Sequence, residues 1–175
     1  MARLRKFVSY RNIERPYTRT SKYRSKSYIK ASLHTRIAQF NMGNKSRNDF
    51  NEEIVLVSKE DHQIRDNALE SARKVVNAEL KEKLSLANYF FKLKVYPHQI
   101  LRENPLATGA GADRLSTGMK MSFGKPIGRA VRATKGKELF SLHVMKKDKK
   151  IAKKYLTKAI HKLPGTYRVV SRDNI

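Results

Sequence analysis

The chain has 175 residues, a formal net charge of +24 at pH 7 and no cysteine. Its length is enough for one hydrophobic core, and the lack of cysteine excludes disulfides, thiol catalysis and cysteine-ligated zinc or iron–sulfur sites. A compact protein with this charge repels itself unless a polyanion compensates it, so nucleic acid is the first candidate partner and an anionic membrane surface the second.

Residues 1–50 are predicted to form a basic RNA-binding extension. They hold thirteen of the 39 Lys and Arg residues but only two of the 15 acidic residues, and tyrosines are interleaved with the bases. Lys and Arg bind phosphate without reading sequence, while tyrosine rings stack on unpaired bases. A disordered solvated tail and an organelle transit peptide are the alternatives. The residues predicted to bind RNA here are Arg3, Arg5, Lys6, Tyr10, Arg11, Arg15, Tyr17, Arg19, Lys22, Arg24 and Lys26.

Residues 51–175 are predicted to form one α+β sandwich domain that begins with a buried strand and a helix. Ile54–Val57 is uniformly apolar, as in a buried strand. Arg65–Leu84 is a predicted helix because apolar residues recur at helical spacing on one face. That stripe consists of Leu69, Ala72, Val76 and Leu80.

The start and the polar face of this helix carry further expectations. Asp66 or Asn67 is expected to cap the helix, and Asn67 with Glu70 has the spacing of a capping box. The face opposite the apolar stripe mixes acids and bases, so we expect it to be solvated rather than bound to RNA. Its residues are Glu70, Arg73, Lys74, Asn77 and Lys81.

A strand at Tyr89–Val95 leads into a long connection, residues 97–127. The strand alternates apolar residues with Lys92 and Lys94, which predicts one basic face. The connection has no helical or strand periodicity, and a loop this long is usually functional or disordered. Its apolar, glycine and basic residues favour a structured loop against an anionic partner. The predicted RNA-binding residues of the loop and the following strand are Arg114, Lys120, Lys125, Arg129 and Arg132.

The C-terminal part reads as a hairpin, a helix and a last strand. Ala130–Thr134 and Leu139–Val144 flank a turn at Lys135–Lys137, which predicts that they pair as a hairpin. After Asp148, an apolar stripe at period 3.6 predicts a helix to about Leu163. The stripe is Ile151, Ala152, Tyr155, Leu156, Ala159, Ile160 and Leu163, and Tyr167–Ser171 forms the last strand. The expected fold is α+β, a mainly antiparallel sheet with two amphipathic helices on one face.

Catalytic and nucleotide-binding motifs are absent from the loop despite its glycines. Gly109–Arg114 begins like a dinucleotide fingerprint but has arginine in place of the third glycine. Gly118–Lys125 has one residue too many between its glycines for a phosphate loop, and Pro126 replaces the residue that would hold magnesium. No histidine pair has metal-ligand spacing. We therefore expect a binding protein with no enzymatic activity, cofactor, metal or small-molecule substrate.

The block Gly109–Gly128, GAGADRLSTGMKMSFGKPIG, resembles the central block of the universal large-subunit ribosomal protein sixteen family. The likeness extends to Tyr96–Arg102, to Asn67–Arg73, to Tyr10–Tyr17 and to Leu163–Ser171. It is closest to the archaeal and eukaryotic branch, called protein ten-e. Residues 18–50 fit the family pattern poorly, and Glu103 places an acid in the loop. The early end after Ser171 and the loop without cysteine favour the archaeal branch.

The resemblance implies a structural protein of the large ribosomal subunit in the cytoplasm, bound to large-subunit rRNA and neighbouring ribosomal proteins. In this family the long loop points toward the peptidyl-transferase centre and the tRNA acceptor ends near the A and P sites. Carried over to this sequence, the loop is Leu101–Leu115. Its tRNA-facing residues would be Arg102, Asn104, Pro105, Leu106, Ala107, Thr108, Gly109, Ala110, Gly111, Ala112 and Asp113.

Two other functions compete with this interpretation. A free or ribosome-associated RNA-binding or assembly factor would share the charge, but high salt would wash it off the subunit. A basic membrane-surface protein would need a helix with an exposed apolar face. The last predicted helix has the necessary pattern, but the core requires its apolar stripe.

Overall fold

The computed structural model describes residues 5–13, 23–27, 29, 33–47, 49–107 and 109–173, and only the backbone of Arg24 and Met121. In chain order the elements are β1 (Asn41–Gly43), β2 (Glu52–Ser58), β3 (His62–Arg65), α1 (Asp66–Leu84), β4 (Tyr89–Leu93), β5 (Gln99–Glu103), α2 (Ala112–Leu115), β6 (Lys125–Ala133), β7 (Glu138–Val144), α3 (Lys149–Lys158) and β8 (Tyr167–Asp173). Short 3-10 helices cover Phe7–Tyr10, Arg24–Lys26, Gly118–Met121, Lys146–Asp148 and Ala159–Lys162.

The strands form two antiparallel sheets rather than one. A five-stranded sheet has the order β1-β4-β7-β2-β8, and a three-stranded sheet has the order β3-β6-β5. Helices α1 and α3 share one apolar core with both sheets, in which Ile54, Phe91 and Leu142 meet Leu69 and Leu156. The predicted α+β class with antiparallel pairing is confirmed, and the division of the sheet is the new feature. Within the described ranges, no helix combines the length and apolar character that a membrane crossing requires.

Helix α1 confirms the predicted apolar stripe but not the predicted cap or polar face. All four stripe residues are fully buried. Arg65 stands at the N-cap position, and its side chain makes no capping bond. Glu70 and Arg73, expected in solvent, are buried and joined at 2.6 Å. The expectation of a solvated face was therefore wrong for this pair.

A segment from the N-terminal region covers this face of α1. The Ala38 amide donates to Glu70 Oε2 at 3.3 Å, and the Arg73 guanidinium donates to Met42 Sδ at 3.2 Å. The Arg36 amide donates to Asp66 Oδ2 at 3.1 Å. These bonds satisfy three buried charged groups, Asp66, Glu70 and Arg73, which would otherwise be costly to bury. Residues 36–42 are therefore fixed to the helix, although they belong to the predicted extension.

Strand β1 extends this attachment into the sheet. Met42 lies opposite Phe91, and Gly43 opposite Phe90. Just beyond the strand, the Asn44 amide donates to the Tyr89 carbonyl oxygen at 2.9 Å. Ile37, Met42 and Phe50 are buried. Strand β1 was not predicted from the sequence, and Ile37 and Met42 on either side of its start belong to the core. The division of the chain at residue 50 stays a prediction.

The predicted hairpin of residues 130–144 was wrong. Strand β6 pairs with β3 and β5, whereas β7 pairs with β2 and β4. The turn itself exists, because the Lys137 amide donates to the Thr134 carbonyl at 2.9 Å. Its backbone also bonds to Ser58 at the end of β2, through Lys137 and Gly136. The turn therefore carries the chain from one sheet to the other.

The connection 97–127 contains more regular structure than expected. Strand β5 occupies Gln99–Glu103 and pairs with β6, which begins at Lys125. The prediction of a loop without strand character was wrong at both of its ends. Residues 104–124 remain between the strands, and we call them the β5–β6 loop.

The last helix matches its predicted stripe with one exception. Ala152, Tyr155, Leu156 and Ala159 are buried, whereas Ile151 is 41% exposed. Helix α3 ends at Lys158 and continues as a 3-10 helix to Lys162. Strand β8 pairs with β2 along its whole length, from Glu52 opposite Asp173 to Ser58 opposite Tyr167.

Candidate nucleic-acid interface

The β5–β6 loop is fastened at its base by the side chains of Arg102, in β5, and Asn104, the first residue of the loop. The Arg102 guanidinium donates to the Phe123 carbonyl at 2.9 Å, and its Cζ lies 3.9 Å from the centre of the Phe123 ring. The Asn104 amide nitrogen donates to the Gly118 carbonyl at 3.2 Å. A cation over an aromatic ring adds to the hydrogen bond. The two ends of the loop are therefore held together independently of any partner.

Gly124 closes the base where no side chain fits. Its φ of +83° lies in the left-handed region, and an added Cβ would approach the Glu103 carbonyl carbon to 2.8 Å and the Asn104 nitrogen to 3.0 Å. Both contacts are with backbone, which cannot rotate away. Only glycine allows β6 to begin this close to the end of β5.

We predict that Gly124→Ala loosens the β5–β6 loop while leaving the core folded. The clash lies at the loop base, and exposed Arg114 and Lys120 provide tryptic sites within the loop. Cleavage at these two sites, followed by mass spectrometry, should be faster than in the unmodified protein. Gly128→Ala is the control, because an added Cβ there meets no atom within 4 Å. Equal cleavage rates in the two variants would contradict the prediction.

The tip of the loop presents apolar side chains to solvent. Leu115 and Met119 are 83% and 69% exposed at the tip, and Leu106 and Phe123, nearer the base, are 49% and 47% exposed. Helix α2 and the adjacent 3-10 helix give the tip local order, with the Ser116 hydroxyl donating to the Ala112 carbonyl at 2.9 Å. Several exposed apolar residues on one segment indicate an interaction site, whereas single exposed apolar residues are common on any protein surface. The loop is therefore an ordered segment that exposes several apolar side chains.

The residues predicted to face tRNA are spread along the end of β5 and the β5–β6 loop. Arg102 lies in β5, and Asn104 anchors the base as described. Pro105, Leu106 and Ala107 are exposed, Gly109, Ala110 and Gly111 form a turn, and Ala112 and Asp113 begin α2. Thr108 lies outside the described residues. No ion pair joins Asp113 to any residue that the structure describes.

The described N-terminal residues pack beside the three-stranded sheet and reach the loop base. Arg5 pairs with Glu103 at 2.6 Å, and Arg65 donates to the Arg5 carbonyl oxygen. The Arg65 guanidinium lies 4.4 Å from the centre of the Tyr10 ring. Burial and the Glu103 carboxylate raise the pKa of Tyr10. Glu103, the unexpected acid of the loop, therefore has a structural partner and links the N-terminal segment to β5.

The other predicted RNA-binding residues fall into three groups: exposed residues without an ion pair, residues that contact another side chain of the protein, and residues outside the described ranges. Lys6, Arg114, Lys120, Lys125 and Arg132 are exposed and form no ion pair with a described residue. Arg129 donates to the Tyr96 hydroxyl at 3.2 Å, Arg11 lies 3.8 Å from Glu60, and Lys26 lies 5.1 Å from the Tyr23 ring centre. Outside the described residues are Arg3, Arg15, Tyr17, Arg19, Lys22 and the side chain of Arg24.

Several residues that shape this surface, rather than carry its charge, were not predicted from the sequence. Arg65 fixes the N-terminal segment, Phe123 receives Arg102, and Tyr96 receives Arg129. Tyr96 follows directly after the alternating strand and continues its exposed side. The alternation could therefore have predicted that this aromatic side chain is exposed. The described residues contain no group of His, Asp and Glu side chains that could hold a metal ion.

Comparison with known proteins identifies the family. Residues 14–170 match the model of ribosomal protein L16p/L10e. The chain is 46% identical over 161 residues to the large ribosomal subunit protein uL16 of Archaeoglobus fulgidus, covering 92% of this chain and 88% of that protein. It is 46% identical over 173 residues to uL16 of Nanoarchaeum equitans, covering 96% and 92%. The uL16 protein of Methanococcus aeolicus is 43% identical over 168 residues, with 95% and 93% covered. The chain therefore belongs to the ribosomal protein L16p/L10e family.

Proposed function

We propose that this chain is a structural constituent of the large ribosomal subunit, where it binds rRNA and neighbouring ribosomal proteins and is not an enzyme. The observation that carries the proposal is the family match, which spans residues 14–170 and is supported by archaeal relatives at 46% identity. The charge of +24 agrees with it, because rRNA supplies the polyanion that such a chain requires.

We further propose that the β5–β6 loop faces tRNA beside the peptidyl-transferase centre. Its support is the combination of a clamped base, a structured tip and exposed apolar and basic side chains. Arg102 and Gly124 fix the base, while Leu115 and Met119 stand out at the tip. A loop built in this way keeps its conformation before it meets a partner, so less conformational entropy is lost on binding. Arg114 and Lys120 provide charge for phosphate.

Deletion of residues 106–113 should leave the fold intact and impair subunit maturation or tRNA handling. None of the described residues in this stretch is buried, so its loss removes no core contact. Thermal unfolding of the purified variant should match the unmodified protein, whereas polysome profiles and translation rates in cells should be reduced. A variant with the same eight positions filled by Gly and Ser controls for loop length. Normal polysomes and normal translation in the deletion variant would contradict the tRNA-facing role.

Washing isolated large subunits in high salt tests the structural role separately. A constituent held by many phosphate contacts within a folded particle stays with the subunit, whereas a transient factor dissociates as salt weakens its electrostatic binding. Quantitative mass spectrometry of the washed particles should find this chain at one copy per subunit relative to other ribosomal proteins. Its loss into the wash would favour the assembly-factor alternative.

A further inference from the structure

Helix α3 and its flanks carry a dense positive charge. Residues 146–162 contain eight lysines and a single acid, Asp148, and α3 itself contains five lysines and no acid. Helix α1 differs, because four acids balance its four bases over 19 residues. Both helices contribute to the same core, so the difference lies in their outward faces.

Five of these lysines lie together on the outward side of the helix. We call them the lysine row, and they are Lys146, Lys147, Lys150, Lys153 and Lys154. All five are exposed. The three members within α3 recur at i, i+3 and i+4, and the other two precede them by about one turn in a short 3-10 helix. The opposite side of α3, with Ala152 and Leu156, is buried, and the helix packs against β2, β7 and β8. The row therefore faces away from the five-stranded sheet.

The protein neutralises the lysines at the two ends of α3 but not the lysine row. Lys149 bonds to Glu52 at 2.8 Å, and Lys158 bonds to Glu79 at 2.6 Å. No ion pair joins a lysine of the row, or Asp148, to any residue within the described part of the chain. Carboxylates therefore fix the ends of the helix and leave the charge of the row to an external partner.

This arrangement is unfavourable for the isolated protein. Lys150 lies four residues after Lys146 and four before Lys154, and like charges at this spacing repel each other on a helix. Lys149 and Lys150 also occupy the first turn of α3, where the helix dipole disfavours positive charge and no acid is present. Sequences that violate local preferences commonly do so at functional sites. An anionic partner would remove the repulsion.

The composition of the face indicates which part of the partner it contacts. Lysine ammonium groups are flexible point charges that attract phosphate and lack the fixed geometry with which arginine reads a planar group. Thr157 and Ile151 are the other exposed residues of α3, and Tyr155 is buried. The face therefore offers no ring on which an unpaired base could stack. One exposed isoleucine is also too little for insertion into a membrane surface, because the rest of the apolar stripe is in the core.

We propose that the lysine row binds the phosphate backbone of an RNA duplex without selecting its sequence. The inference rests on the proposed function, since it requires that the chain bind RNA, and it adds a contact surface separate from the β5–β6 loop and from residues 1–50. Charge complementarity favours RNA, because each strand presents a phosphate at every nucleotide and can meet several lysines of the row at once. A duplex is sufficient, because the row reads no base edge.

The test compares two triple variants of the full-length protein that lose the same charge from different helices. The α3 variant removes the part of the row within the helix and combines Lys150→Gln, Lys153→Gln and Lys154→Gln. The α1 variant is the matched control, because it removes three exposed lysines from a helix whose charges are balanced. It combines Lys74→Gln, Lys81→Gln and Lys83→Gln. Binding to a short fluorescent RNA duplex is measured by anisotropy over a series of potassium chloride concentrations.

The α3 variant should bind the duplex about tenfold more weakly at low salt. The slope of log binding constant against log salt should fall by about two to three, since each lost phosphate contact contributes roughly 0.9 on a duplex. The α1 variant should change this slope by less than about one. Duplexes of adenine–uracil and guanine–cytosine sequence should bind equally well. The α3 variant should unfold at the same temperature as the unmodified protein or at a higher one, because the substitutions remove repulsion between like charges.

The possible outcomes separate this inference from the proposed function. An unchanged salt slope in the α3 variant, or equal reductions in both variants, overturns the lysine row as an RNA site and leaves the ribosomal role standing. A lower unfolding temperature in the α3 variant also overturns it, because the lysines would then stabilise the protein itself. Binding to phosphatidylserine vesicles or to oligoglutamate that excess duplex does not displace, and that the α3 variant loses, overturns it in favour of a membrane surface or an acidic protein. Loss of the chain from salt-washed large subunits overturns the proposed function.

Discussion

Gly43→Ala should lower the free energy of unfolding by about 3 kcal/mol or more, through left-handed backbone strain and overpacking together. The φ of Gly43 is +80°, and an added Cβ would lie 2.2 Å from the Tyr89 carbonyl oxygen. That oxygen also accepts the Asn44 amide, so relief of the clash requires β1 to separate from β4. Equilibrium unfolding in urea would measure the change.

Gly136→Ala is the matched control for this prediction. Gly136 has nearly the same φ, +84°, but an added Cβ meets no atom within 4 Å. It should therefore show only the backbone component, about 1–2 kcal/mol. If the two variants unfold at the same urea concentration, the close approach of β1 to Tyr89 does not contribute to the free energy of unfolding.

Glu70→Met should destabilise the protein by about 3 kcal/mol, because it leaves the buried Arg73 charge without a partner. The side chains of Glu70 and Arg73 are only 11% and 7% exposed, and their atoms approach to 2.6 Å. The variant also removes the acceptor of the Ala38 amide. Urea unfolding measures the loss, and Glu82→Met, which removes an exposed carboxylate from the same helix, should leave the midpoint unchanged.

A second variant tests whether the uncompensated charge causes the loss. Glu70→Met combined with Arg73→Met places apolar side chains of similar length at both positions and should recover most of the stability. If the double variant loses as much stability as Glu70→Met and Arg73→Met lose in sum, the broken ion pair is not the cause. The apolar replacements themselves would then be destabilising.

The same pair gives stability a defined pH dependence. The hydrogen bond from Arg73 lowers the pKa of Glu70 below its ordinary value of 4.5. The unfolded chain therefore takes up this proton more readily than the folded protein. The stabilisation is fully present above pH 4.5 and is lost as pH falls through the lower folded pKa. In the double variant this loss should be absent from acid titrations of stability.

Periodicity predicted the elements that bury one continuous face. Leu69, Ala72, Val76 and Leu80 on α1 are all in the core, and so are Phe91 and Leu93 of β4. The strands missed were β1, β3 and β5, each of three to five residues. Such runs are too short to establish an alternation, and polar residues such as Gln63 and Gln99 point away from the apolar core.

Two errors arose because sequence patterns describe local geometry and not partners. The turn at residues 134–137 is real, but a reversal of the chain does not require the flanking strands to pair with each other. Glu70 and Arg73 were assigned to the solvated face because they are charged, although Arg73 lies four residues after Leu69 and therefore borders the apolar stripe. No spacing rule reveals that a segment some thirty residues earlier covers them, with Ala38 and Met42 as partners.

The candidate interface was predictable in its charge and in its position along the chain. Arg114, Lys120 and Lys125 are exposed as expected for phosphate contacts. The anchors of the loop were not predictable, because Arg102 meets Phe123 only when β5 and β6 are paired. The roles of these residues toward RNA stay predictions until tested as proposed above.

The place of β2 in its sheet determines when this protein can fold during synthesis. Strand β2 is made early, yet its neighbours on both sides are β7 and β8, at Glu138–Val144 and Tyr167–Asp173. Until those residues leave the translating ribosome, the apolar Ile54–Val57 run has neither edge paired. Contacts so distant in sequence slow folding and expose the chain to aggregation. We therefore expect the five-stranded sheet to close only after the whole chain has emerged.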